Sequence, residues 1–275
     1  LTGSKNALKG VGFFLGGLLL SWLGFALSLQ AMAGGVLLIL IITALFLKGD
    51  IGKSKEKSRF KQLFAKTCEI NLLSVARFFL FGCRDIWFVV GLPIFLAEVL
   101  EWNHESIGGF LAVWVIAYGF VQAAAPALLR SKGGMESRTG ARAALIWGGA
   151  LVGLTAAIAC AVHFEFHLAW SVLIGLGLFG IIFAVNSSVH SYLILSYSDS
   201  DKISLDVGFY YMANACGRLV GTLLSGLTYL YAGLAGCLWT SAAFALVATV
   251  ITIWLPRKGA CCEVFPKEKA TATSS

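Results

Sequence analysis

Six charged residues stand where the surrounding sequence leaves little room for charge. Lys5, Lys9, Arg77, Arg84, Asp85 and Arg218 all lie inside long apolar runs. At the middle of a bilayer such a cation costs about 2.5–3.5 kcal/mol on insertion scales, so each must face a cavity or a partner. Spacing puts them on defined helix faces. Ser74, Arg77, Phe81, Arg84 and Phe88 recur at intervals of three and four, as do Tyr211, Asn214, Arg218, Thr222 and Ser225. Thr2, Lys5, Lys9, Phe13 and Gly16 repeat the second register near the start. A guanidinium presents a planar fork of donors that fits phosphate-like oxygens. Arg84, Arg218, Lys9 and Lys5, with Asn214 beside them, therefore predict a cavity built for an anion.

Asp85 reads as the one deep acid. Neighbouring residues on a helix diverge by about 100°, so Asp85 is expected to point away from Arg84 and to pair with another helix or act as a protonation site. The competing reading is a set of internal salt bridges that fix helix packing. One carboxylate cannot neutralise three or more cations, which favours the anion cavity.

Other candidates are weaker. Trp114, Tyr118 and Gln122 fall at i, i+4 and i+8, a stripe that reads as packing before ligand contact. Asn186, Ser187, Ser188 and His190 form a polar patch, in which His190 reads as a hydrogen-bonded structural residue rather than a proton carrier. Gly12, Gly16 and Gly17, and again Gly217, Gly221 and Gly226, allow helices to approach closely. No HExxH, GxSxG, Walker or CxxC pattern occurs, so neither an enzyme nor a metal or cofactor site has residues behind it. The seven cysteines show neither metal spacing nor a disulfide framework. Most sit in apolar runs as small hydrophobes. Cys261 and Cys262 belong to the tail, where soft-metal binding or acylation is the second reading.

The elements that position these residues follow from composition. Of 275 residues, 58% are hydrophobic and 13% charged, about half the charged share of a soluble domain. Lipid absorbs that excess of apolar surface; a single aqueous core does not. Eight apolar runs, about 1–24, 27–47, 70–97, 106–129, 143–163, 168–195, 207–230 and 236–256, have the length that crosses the hydrocarbon. The expected fold is all-α and polytopic.

The net charge of +7 does not indicate nucleic acid, because its placement is topogenic. Sixteen of 21 Lys and Arg fall at 48–66, 130–142, 202 and 257–269, all on one side if the runs alternate. The opposite connections carry Glu98, Glu101, Glu105 and Glu165 and no Lys or Arg. The positive-inside rule then places the 48–69 linker, the 131–142 and 196–206 loops and the C-terminus in the cytoplasm. The linker reads as a solvated topogenic loop, with a lipid-contacting polybasic patch as the second reading.

An internal repeat organises the helices. A shift of 209 residues lays the first two runs over the last two with twelve identities across 1–48 and no gap. Lys9 falls on Arg218, Gly12 on Gly221, Gly24 on Gly233 and Lys48 on Arg257. The two halves of a major facilitator transporter are related by parallel repeats of this kind. In that frame 1–47 forms the last two helices of an N-terminal half, 48–69 the basic linker, 70–256 a six-helix C-terminal half, and 257–275 the tail. Leu1 aligns with Tyr210, inside a helix. Four further helices, roughly 140 residues, are therefore expected upstream, giving eight of an expected twelve.

The segments LTGSKNALKGVGFFLGGLLL and ARFFLFGCRDIWFVVGLPIFL resemble the organoarsenical-efflux permeases (ArsJ-type) of the major facilitator superfamily. The resemblance implies a bacterial inner-membrane exporter of 1-arseno-3-phosphoglycerate that gives arsenate resistance. It also implies a metabolic partner, the glyceraldehyde-3-phosphate dehydrogenase that makes this ester. A doubly anionic cargo suits Arg84, Arg218 and Lys9. Two alternatives stand beside it: a facilitator for another anion or a drug, and a non-transporting membrane scaffold or sensor.

Overall fold

The computed structural model describes residues 2–46, 67–129, 137–198 and 203–255. The basic linker at 48–66, Arg130, Lys132, Lys202 and the tail with Cys261 and Cys262 lie outside the described residues. So do the side chains of Lys5 and Arg138.

Among the described residues all regular structure is helical: α1 (Thr2–Phe46), α2 (Cys68–Phe88), α3 (Gly91–Glu98), α4 (His104–Leu129), α5 (Ser137–His163), α6 (Leu168–Tyr197) and α7 (Ile203–Ile253). Six stretches are long and apolar enough to cross a membrane, with α2 and α3 counted as one. This architecture fits a multi-pass membrane protein. The apolar surface is turned outward. On α7, Leu219, Leu223, Leu227 and Leu230 are exposed, while Gly217, Gly221 and Ser225 on the opposite face are buried. That inversion suits a helix with lipid on one side and small-residue packing on the other.

The expected run 70–97 is interrupted after Phe88, and α3 begins at Gly91. Pro93 is the physical reason. It has no N–H for the carbonyl of Val89, and its ring crowds that carbonyl, so a continuous helix is disfavoured there.

Two expected pairs of runs are instead joined. At 45 and 51 residues, α1 and α7 would measure about 68 and 76 Å if straight, against roughly 30 Å of hydrocarbon. Neither is straight. Gly24 sits at φ 71°, ψ 178°, and Gly233 at φ 59°, ψ −158° with Ala232 also non-helical. That region of backbone space is essentially reserved for glycine. The Ser28 hydroxyl lies 2.7 Å from the Leu19 carbonyl and 2.6 Å from that of Gly24. Nine residues of straight helix separate their ends by about 13 Å, so the first contact requires a sharp fold. The corresponding contact in α7 joins Thr228 Oγ1 to Cys237 Sγ at 3.2 Å.

The chain forms two compact units: residues 1–64 with 93–123, and residues 65–92 with 124–275. In the first, α1 and α4 cross antiparallel. A Cβ at Gly17 would fall 3.0 Å from Gly108 Cα and 2.7 Å from the His104 carbonyl oxygen. Ser21 donates to Glu105 at 2.8 Å one turn on. In the second unit α2 packs most extensively on α7, and α5 on α6 and α7. Trp87, Tyr210, Phe179 and Phe183 are the largest fully buried side chains of this core.

Candidate functional site

The polar residues of the second unit are positioned by two helix crossings. The first sets α2 against α7. A Cβ at Gly217 would overlap the Phe78 carbonyl, and one at Gly221 would meet the Gly82 carbonyl oxygen at 2.7 Å and Asp85 Cβ at 3.2 Å. Only glycine permits this backbone approach, and it brings Arg218 beside Asp85. Ser241 donates to the Cys83 carbonyl at 2.6 Å, and the Gly91 N–H donates to Ser225 at 3.1 Å, which hold the crossing above and below. Gly12, Gly16 and Gly226, expected at close approaches, face open space instead. Glycine spacing marks where contact is possible, whereas the partner helix decides where it occurs.

The second crossing sets α2 antiparallel to α6. Trp87 meets Phe179 edge-on at 5.2 Å, Phe81 meets Phe183 at 5.1 Å, and Arg77 Nη1 donates to the Ser187 carbonyl at 3.0 Å. As residue numbers fall along α2, the matching numbers rise along α6.

At the heart of the first crossing, Asp85 is 0% exposed and both its oxygens are engaged. Arg84 holds Oδ1 through Nε at 2.7 Å and Nη2 at 2.6 Å. Arg218 donates from Nε to Oδ2 at 2.8 Å. The expected pairing of Asp85 with a different helix is thus present, but Asp85 does not point away from Arg84. The 100° offset applies to Cα–Cβ directions, and the long arginine side chain swings back across it. Two guanidiniums on one carboxylate carry a net positive charge. The Arg218 side chain, 43% exposed against 11% for Arg84, uses only Nε here. Its two Nη groups add four donors.

A third cation lies two turns of α2 from Arg84. Arg77 is 3% exposed, with its guanidinium 4.0 Å from the centroid of Phe81 and 4.9 Å from that of Tyr210. Arg84 lies 5.1 Å from the same Phe81 ring and 5.4 Å from Phe183. Phe81 therefore faces both cations, as i+4 and i−3 spacing on one helix dictates. Asn214 sits one turn before Arg218 and one turn after Tyr210, with its Oδ1 buried.

The other expected residues lie elsewhere. Lys9 is exposed and belongs to the first unit. Trp114 and Tyr118, also in that unit, stack on one another at 5.6 Å. Asp206, in the first turn of α7, is 4% exposed, a second buried acid beside the single one expected. Its position near a loop gave no signal of burial. Among the described residues no group of three or more His, Cys, Asp or Glu side chains is arranged to hold a metal ion. No family model matches the chain, and no curated protein matches it significantly.

Proposed function

We propose that the protein is a major-facilitator-type carrier that moves an organic anion across the membrane, and that it is not an enzyme. The folds at Gly24 and Gly233 support a reading of eight crossings, since they divide α1 into arms of about 33 Å each. The one-sided placement of basic residues supports a cytoplasmic C-terminus. The cargo that the sequence resemblance favours is 1-arseno-3-phosphoglycerate, exported from the bacterial inner membrane after a glyceraldehyde-3-phosphate dehydrogenase has made it. The observation that carries the anion reading is the shared carboxylate: Asp85 orients Arg84 and Arg218 but neutralises only one of them. An incoming oxyanion meets pre-oriented donors in a low-dielectric setting, where charge-assisted hydrogen bonds are strongest. Another phosphorylated anion or a drug is the alternative cargo.

The non-transporting scaffold draws on the same contacts, since Asp85 also clamps α2 to α7. Transport separates the two. With the full-length protein in vesicles, Arg84→Ala abolishes uptake of the ester, and Arg84→Lys, which keeps charge but loses the planar fork, lowers it roughly tenfold. Both variants retain wild-type membrane levels. Normal flux in Arg84→Ala, or loss of protein in place of loss of flux, returns these residues to a packing role.

A further inference from the structure

The turn between α5 and α6 gathers exposed aromatic rings that neither the core nor the anion reading uses. Phe164 is 76% exposed, Phe166 65% and Trp170, in the first turn of α6, 66%. Two imidazoles meet the phenyl rings edge-on, His163 on Phe164 at 5.2 Å and His167 on Phe166 at 4.8 Å.

The backbone holds these rings in place. The Phe166 N–H donates to the Ala161 carbonyl at 2.8 Å and the Glu165 N–H to that of Val162 at 3.2 Å, the paired bonds of a Schellman closure. Its left-handed position ordinarily falls to glycine, yet Glu165 occupies it at φ 55°. His167 opens α6 from a second left-handed conformation, φ 41°. Ser171 ties that side down, its hydroxyl 2.7 Å from the Phe166 carbonyl and its N–H 3.0 Å from that of His167. Two side chains thus stand where glycine would cost less, in a turn fixed by hydrogen bonds from both helices.

Distances along the helices indicate what surrounds the rings. Arg142, exposed near the basic end of α5, precedes His163 by 21 residues, about 32 Å of helix. On α6 the exposed Trp170 and Tyr192 are 22 residues apart, about 33 Å. On α7 the exposed Tyr211 and Tyr231 are 20 apart, about 30 Å. The hydrocarbon layer is about 30 Å thick, and Trp and Tyr collect at its two faces. From Trp170 the exposed stripe of α6 runs on through Ile174, Leu178 and Ile181.

We propose that this turn is a membrane-interface anchor, with Phe164, Phe166 and Trp170 seated in the headgroup and ester layer of a zwitterionic phospholipid leaflet. That layer fits the cluster's chemistry. Aromatic rings gain from its apolar side, while the imidazole edges meet phosphate and ester oxygens on the other. The turn carries a carboxylate, Glu165, and no Lys or Arg, so it has no cation to select anionic lipid. The anchor fixes the depth of α5 and α6 and holds whatever the cargo is.

Fluorine NMR on the full-length protein in phosphatidylcholine nanodiscs tests this, with 4-fluorophenylalanine replacing Phe164 or Phe166. Line broadening is compared between a phospholipid spin-labelled just below its headgroup and a water-soluble gadolinium chelate. The lipid label should broaden both signals at least about threefold more than the chelate does, as interfacial rings require. Phe166→Ser with Trp170→Ser, both at exposed positions, should lower that ratio at residue 164 about twofold or more, since each ring contributes to the seating. Broadening mainly by the chelate places the turn in water and overturns the anchor. A lipid-dominated signal that the double substitution leaves unchanged also overturns it, because the helices alone then set the depth. Signals that neither agent reaches mean that a protein surface covers the rings, which overturns the lipid assignment.

Discussion

The two longest helices, α1 and α7, lie in different units, yet each folds over at a glycine 209 residues from its counterpart. Gly24 and Gly233 occupy the same glycine-only region of backbone space, and the clasp across each fold joins positions that correspond in the repeat. Ser28 with Leu19 answers to Cys237 with Thr228. Their charged positions differ. Arg218 is tied to Asp85, whereas its counterpart Lys9 is an exposed residue of the other unit. The repeat therefore specifies a backbone hairpin, and the chemistry is written separately on each copy by the helix that packs against it.

The largest expected effect tests that second half of the statement. Gly12 and Gly221 are equivalent in the repeat but not in surroundings, since a Cβ at Gly221 meets the Gly82 backbone and one at Gly12 meets open space. Gly221→Leu should destabilise the protein by about 3 kcal/mol or more, because a rigid backbone cannot move aside as a side chain can. Gly12→Leu should leave stability within about 0.5 kcal/mol. Thermal unfolding in detergent, followed by loss of monodisperse protein on size exclusion, reads both. Equal losses would mean that the two copies share their packing as well as their backbone.

An intermediate effect tests the shared hairpin. Gly24→Ala and Gly233→Ala each force a side chain into a conformation that costs about 1–3 kcal/mol. The two losses should agree within about 0.5 kcal/mol, because the dihedral angles nearly coincide. A harmless Gly24→Ala beside a damaging Gly233→Ala would break the equivalence at its root.

Much of this organisation is legible in the residues themselves. Run length separates a crossing from a core helix, and the breaks between apolar runs near 24–27 and 230–236 fall where the chain folds. The faces Ser74–Arg77–Phe81–Arg84 and Asn214–Arg218 follow from a period of 3.6. What the sequence left open depends on tertiary register. The reach of Arg84 back to Asp85 is set by rotamers, which helical periodicity does not encode. Whether Gly17 or Gly12 meets a neighbour depends on where α4 crosses, and Gly108 on that helix carries no mark of its role. Asn186 and His190 read as one polar patch on α6 and Ser74 as part of the Arg77 face on α2, with nothing in the spacing to relate the two. Only the pairing of Phe81 with Phe183 and of Arg77 with Ser187 sets them at one place.

The smallest effect probes the clasps. Ser28 presents a hydroxyl to two carbonyls at 2.7 and 2.6 Å, whereas Cys237, a weak donor, lies 3.5 Å from the Ser225 carbonyl and receives Thr228 at 3.2 Å. Hydrogen bonds within membrane helices average about 0.6 kcal/mol by double-mutant cycles. Ser28→Ala should therefore loosen its fold by roughly that amount and speed amide exchange in peptides spanning 19–30 about threefold. Cys237→Ala removes a weaker polar contact, and its effect on exchange across 228–240 should be smaller. Cys237→Ser supplies a stronger donor at the same place and should slow exchange below the wild-type rate. Hydrogen–deuterium exchange by mass spectrometry on the reconstituted protein measures all three. If Cys237→Ser instead exchanges faster than Cys237→Ala, the fold in α7 is held by apolar packing of the thiol against Gly91, which lies beside it, and the likeness of the two hairpins ends at the backbone.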